Sequence, residues 1–145
     1  TDIQASMGLV ELDRYESNLS RRKEIMQSYH QNLGKYDWAK LPVFETENKT
    51  SSFHLYLLRI NGISETKRNQ IIQEISQKQV AVNVHYIPLP MLTAFKSEFD
   101  IKDFPQTYAN FCCEISLPVY YNLTDEQVQT VCSTVIECIE KVLIK

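Results

Sequence analysis

An α+β chain, with a small sheet flanked by helices, is what the sequence predicts, and three observations predict it. Val80, Val82, Val84 and Tyr86 alternate with Ala81, Asn83 and His85 at the period of a half-buried strand. Residues 53–60 form a second, nearly continuous apolar run of strand length. Around them apolar residues recur at helical spacing, behind capping residues at Ser64 and Thr124. The chain has 145 residues, and residues 1–145 are expected to form one domain with a real core.

The chain opens in a helix that Thr1 and Asp2 can cap. Its apolar stripe passes through Ile3, Met7, Leu12, Tyr15, Leu19, Met26, Tyr29 and Leu33, and its phase slips near Gly8. Unbroken to Leu33, the helix would be about 48 Å long, against a width of roughly 30 Å for a globule of this size. A bend near Gly8 is therefore expected, with first turns that pack on something outside the chain. Gly34 suits the C′ position. Arg21, Arg22 and Lys23 read as a solvated face, and His30 as surface.

Residues 35–50 form a connector, pinned by Trp38, Leu41, Pro42 and Val43, with residues 45–52 polar and mobile. The strand at 53–60 sets His54 and Tyr56 on one face, and its apolar density implies cover on both faces. Asn61-Gly62 makes a turn. A helix then runs from Ser64 to about Lys78 with Ile71, Ile72 and Ile75 inward. Whether this strand–helix–strand unit is a parallel crossover or an antiparallel arrangement stays open on the sequence. Pro88 and Pro90 end the second strand, because proline has no N–H to donate. Residues 91–104 are irregular, with a short helical turn at 92–99. Pro105 fits the first position of a helix whose stripe is Tyr108, Phe111, Cys112 and Ile115. Residues 117–121 are extended. Thr124 and Gln127 make a capping box for a last helix that buries Val128, Val131, Val135, Ile139 and Val142.

The net charge is −3 and the basic residues are dispersed, which excludes a nucleic-acid footprint. No apolar run approaches the ~18 residues of a membrane span, and the first residues do not read as a signal peptide. Cys112, Cys113, Cys132 and Cys138 show no metal-ligand spacing and are expected reduced, in a cytoplasmic protein. With glycine only at 8, 34 and 62 there is no phosphate-cradling loop, and no nucleophile elbow or zinc-helix motif is present. The polar constellation that remains is His54, Tyr56, Asn83, His85 and Tyr86, suited to a polar, anionic or sugar-like ligand but lacking a nucleophile. The plain alternative is that His85 and Tyr86 finish a strand and hydrogen-bond locally.

Several stretches, in order along nearly the whole chain, resemble the C-terminal domain of the DegT/StrS aminotransferases. They are Thr1-Asp-Ile-Gln-Ala5 with Gly8-Leu9, Arg21-Arg22 with Tyr29, and Phe53-His-Leu-Tyr56. Residues 80–89, Phe104-Pro105, Leu117-Pro118 and Leu123-Thr-Asp-Glu-Gln127 continue the series. The resemblance implies the small C-terminal domain of an aspartate-aminotransferase-like, fold type I architecture. It implies PLP in the intact family, held by a lysine of a large domain preceding Thr1, with none bound by this chain alone and no catalytic residue or metal within it. Incubation with PLP should then give no borohydride-trappable band. It implies a nucleotide-linked keto-sugar substrate, with His85 and Tyr86 near it at the domain boundary and Ile87, Pro88 and Leu89 shaping the wall. A neutral His85 would donate to a phosphate oxygen, and Tyr86 through its hydroxyl. Self-association through the surface the large domain would cover, at Ile3, Met7 and Leu9, is also expected. The sequence departs from the family at Pro90, where a histidine is usual, and at Gln79, where a glycine is. The alternative function is a non-catalytic binding or regulatory module that reuses the fold.

Overall fold

A computed structural model describes residues 1–144. Two helices open the chain, α1 (Asp2–Asp13) and α2 (Tyr15–Leu33). Thr1 and Gln4 form a capping box on α1. The break falls at Arg14 rather than near Gly8, where exposed α1 gives way to packed α2. No residue of α1 is buried, whereas Ile25, Met26, Tyr29 and Leu33 of α2 are. Gly34 ends α2 with φ −66°, so no left-handed residue is needed. Glycine is required there by proximity instead: a Cβ would lie 2.7 Å from the His30 carbonyl oxygen.

The sheet has the order β1 (Ala39–Lys40), β4 (Tyr56–Ile60), β5 (Glu114–Leu117), all antiparallel. Tyr56 pairs with Leu117 and Arg59 with Glu114. β4 is shorter than the apolar run that announced it, and its burial alternates rather than being complete on both faces. Tyr56, Leu58 and Ile60 point into the core with Ile115 and Leu117 of β5. Phe53 has φ +52°, and His54 is exposed while Tyr56 is fully buried, so those two do not share a face. Residues 45–52 contain a hairpin, β2 (Glu45–Thr46) with β3 (Lys49–Thr50), and Val43 is exposed rather than pinned.

α3 (Glu65–Gln77) is capped by Ser64 and buries Ile71 and Ile75 as expected. It also buries Arg68, whose guanidinium lies 4.7 Å from the Phe111 ring centre. Gln79 follows at φ +62°, the left-handed geometry that a glycine takes without cost. Residues 80–86 were expected as a strand; only Asn83 pairs, in one antiparallel bridge to Ser116 on the outer edge of β5. Val80, Val82 and Val84 are buried or half-buried, so the alternation holds to Val84, but it fails at the end of the segment, where Tyr86 is exposed and His85 half-buried. Because β4 and the Asn83 segment each run antiparallel to β5, they run parallel to each other with β5 between.

α4 (Pro105–Cys113) begins at Pro105 but stops at Cys113, and β5 starts at the next residue. Ile115 is therefore a strand residue, and the extended piece expected at 117–121 lies at 114–117. α5 (Asp125–Leu143) carries the Thr124–Gln127 capping box and buries Val128, Val131, Val135, Ile139 and Val142. Arg21 is not merely solvated: it donates to the Leu123 carbonyl and to Asp125 Oδ1 at 2.8 Å, tying α2 to the start of α5. His30 is half-buried, 4.3 Å from the Phe44 ring and 3.1 Å from the Tyr56 hydroxyl through Nδ1. All four cysteines are free thiols, and burial pushes Cys132 up to about 11.

Candidate functional site

β5 is buried on both faces, and that fact builds the site. Ile115 and Leu117 enter the core, so Glu114 and Ser116 must emerge on the opposite face. Both are nonetheless 7% exposed or less. What covers them is the arm of residues 83–89, held by the Asn83 bridge and by buried Pro88. His85 Nδ1 lies 2.6 Å from Ser116 Oγ. The main-chain N–H of His85 donates to Glu114 Oε1 at 3.2 Å, and Ser116 Oγ donates to the same oxygen at 3.2 Å. His85 is thus half-buried and fixed at two points.

The rest of the arm is open to solvent. Tyr86 is 73% exposed and stands edge-on to the His85 ring at 4.5 Å. Ile87 and Leu89 are exposed on either side of Pro88. His54, Asn83, His85, Ser116 and Pro118 line one open depression of about 420 Å³. Of the sequence constellation, His54, Asn83 and His85 come together there with Tyr86 alongside. Tyr56 does not; it lies in the core beside His30. Next to the arm, Leu89, Pro90, Phe95, Phe99, Phe104 and Thr107 line an apolar groove of about 320 Å³. Pro90 contributes a ring to this groove where the resemblance called for an imidazole.

Glu114 and Ser116 were missed by the sequence reading. Their only local signal is the polar–apolar alternation of Glu114-Ile-Ser-Leu117, which the helical stripe ending at Ile115 and the extended piece beginning at Leu117 divide between them. Among the described residues no group of three His, Cys, Asp or Glu side chains can hold a metal ion. None of the helices described is long and apolar enough to cross a membrane.

A family model for the DegT/DnrJ/EryC1/StrS aminotransferases matches residues 1–136. The chain belongs to that family. The uncharacterized protein MJ1066 of Methanocaldococcus jannaschii is 34% identical over 139 residues, covering 93% of this chain and 36% of that protein. The UDP-4-amino-4,6-dideoxy-N-acetyl-beta-L-altrosamine transaminase of Helicobacter pylori is 24% identical over 139 residues, 96% of this chain and 37% of the enzyme. The PLP-form of the putative sugar aminotransferase Spr1654 of Streptococcus pneumoniae superimposes with a TM-score of 0.94 at 45% identity, covering 98% of this chain and 36% of that one. The chain therefore spans little more than a third of these relatives. Its α+β architecture matches the C-terminal part of such aminotransferase structures.

The family and the PLP-form and PMP-form structures that this chain matches indicate PLP in intact members. A Schiff-base lysine needs a pocket that favours its neutral form. Every lysine described in this chain is exposed. Lys23, Lys78 and Lys141 are ion-paired with Glu45, Glu137 and Glu74, and the last pairing raises Lys141 above its ordinary value.

Proposed function

We propose that this chain is the substrate-side C-terminal domain of a PLP-dependent aminotransferase acting on a nucleotide-linked keto-sugar. The superposition on the Streptococcus pneumoniae protein, over nearly all of this chain at 45% identity, carries the reading. Two features support the division of labour. α1 presents Ile3, Met7, Leu9 and Leu12 to solvent with no cover, as a helix does that packs on a neighbouring domain. The arm carries His85 to an open depression that His54, Asn83 and Ser116 also line, with Tyr86 exposed at the ring edge, and such hydrogen-bonding groups suit a sugar site. In this proposal His85 and Tyr86 grip the sugar nucleotide, Ile87 and Leu89 shape the wall, and Pro88 anchors the arm. The cofactor belongs to the remaining two thirds of a protein of the relatives' length.

A chimera tests this. This chain replaces the corresponding third of the Streptococcus pneumoniae protein, and the product is assayed with the amino donor and sugar nucleotide that the parent protein turns over. The expected result is a folded, PLP-loaded protein that still transfers the amino group. A chimera that folds and takes up PLP, binds the sugar nucleotide and transfers nothing would favour a non-catalytic binding module.

A further inference from the structure

We propose that Glu114 and Ser116 are positioning residues that fix the tautomer of His85. Its open nitrogen, Nε2, then accepts a hydrogen bond from a hydroxyl or amide N–H of the ligand and does not donate one. This deepens the proposed function and rests on it for the ligand, a nucleotide-linked sugar.

The proton count decides the tautomer. Glu114 Oε1 receives the His85 main-chain N–H and lies 3.2 Å from Ser116 Oγ. The Ser116 hydroxyl donates to Glu114 Oε1, so its proton points there. A hydroxyl has one proton. Ser116 Oγ can therefore only accept from His85 Nδ1, which lies 2.6 Å away. Nδ1 carries the hydrogen, and a neutral imidazole has just one, which leaves Nε2 with a bare lone pair. The reverse assignment would face two acceptor oxygens at 3.2 Å between side chains only 7% and 4% exposed. Two buried acceptor oxygens facing each other with no proton between them are the costlier arrangement, even though Glu114 Oε1 keeps the His85 main-chain N–H.

Among the described residues, His85 hydrogen-bonds through its ring to Ser116 alone, and it lines the open depression. The charged and titratable groups around the relay are few. Arg59 pairs across the strands with Glu114 but donates to Asn110. His54 lies on the same depression, and Tyr86 stands at the ring edge. A sugar hydroxyl has a proton to give Nε2, and an ionised phosphate oxygen has none. The neutral ring therefore selects the sugar over the phosphate, contrary to the phosphate-donor role that the resemblance suggested. Only the protonated ring, with two N–H groups, would donate to phosphate.

The test is imidazole nitrogen NMR on the 145-residue chain labelled with ¹⁵N-histidine. At pH 8 His85 is expected to show a protonated Nδ1 and a bare Nε2. S116A and E114A, neither of which alters the ring, are expected to shift the population to the Nε2–H form, by removing the acceptor or by freeing the serine proton. E114Q keeps an acceptor oxygen and is expected to keep the wild-type tautomer. An Nε2–H form in the wild-type chain, or an E114A spectrum identical to wild type, overturns the relay. UDP-N-acetylglucosamine is then titrated against inorganic phosphate at the same pH. The sugar nucleotide is expected to move the Nε2 signal and phosphate to leave it in place; a response to phosphate alone overturns the acceptor role. A correct tautomer that ignores both leaves the relay standing and defeats the sugar-binding reading on which its ligand depends.

Discussion

Tyr29→Phe removes one oxygen atom from the centre of the molecule, and the structure gives its cost. Tyr29 is fully buried on α2, and its hydroxyl donates to the Pro118 carbonyl at 2.8 Å. Pro118 is where β5 turns out of the sheet and lines the depression beside His85. The phenyl ring keeps its volume and its edge contact with Tyr56 at 5.0 Å, so no cavity forms. The loss is then one net hydrogen bond, about 1 kcal/mol, plus part of the penalty for a carbonyl left without its donor. A total of about 1–2 kcal/mol is expected, or roughly 3–6 °C in Tm for a chain of this size. Urea unfolding followed by tryptophan fluorescence measures it, with an unchanged m-value showing that the unfolded reference is the same. A second consequence fixes the sign with pH. Burial holds the phenols of Tyr29 and Tyr56 above their ordinary value. Each stays protonated in the fold while the unfolded phenol ionises above about pH 10, so their contribution is complete below that pH and is lost as pH rises beyond it. The variant should therefore lose stability at pH 7 but fall less steeply in alkali. A Tyr29→Phe protein within 0.3 kcal/mol of wild type, taking roughly that as the error of such measurements, would refute the buried hydrogen bond.

Other substitutions follow from the same geometry. Burial holds His30 below its ordinary value; the unfolded imidazole takes up a proton first, so stability should be complete above about pH 6.5 and decline as pH falls below it. His30→Gln should flatten that decline, read from urea midpoints at pH 7 and 5.5, and an unchanged slope would exclude the assignment. Gln79→Gly should stabilise the chain by roughly 0.5–1 kcal/mol, because φ +62° costs a side chain about 1 kcal/mol or more; a loss of stability would show that the Gln79 side chain makes up that strain. On α1, Ile3, Met7 and Leu9 are 74%, 65% and 65% exposed, and covering them is worth about 1–2 kcal/mol each before association costs. The isolated chain should self-associate in sedimentation runs and the triple glutamine variant should not; a wild-type monomer at high concentration contradicts this.

The helices were legible because their signals are local. Ser64, Thr124 and Gln127 cap by bonding groups three residues away, and the inward faces of α3 and α5 follow a 3.6-residue period. β5 was not legible, because half of it is polar and its burial comes from an arm about thirty residues distant. The strand expected at residues 80–86 illustrates the converse. Its alternation reports the inward side chains only as far as Val84 and misplaces Tyr86, and the pattern carries no record of how many backbone partners the sheet edge supplies. His30 looked like a surface residue because its pocket is made by Phe44 and Tyr56, from two other segments. For the site, residues 85–90 stand out through Pro88, Pro90 and the aromatic tips of His85 and Tyr86. Glu114 and Ser116, which hold His85 in place, are visible only once the chain is folded.

Hydrogen exchange, measured amide by amide on the isolated chain and on the Streptococcus pneumoniae chimera with and without sugar nucleotide, tests the central claim most directly. The amides of α1 should exchange fast in the isolated chain and become protected in the chimera, and sugar nucleotide should add protection over residues 83–89. Equal exchange of α1 in both proteins, or ligand protection that leaves residues 83–89 untouched, would contradict it.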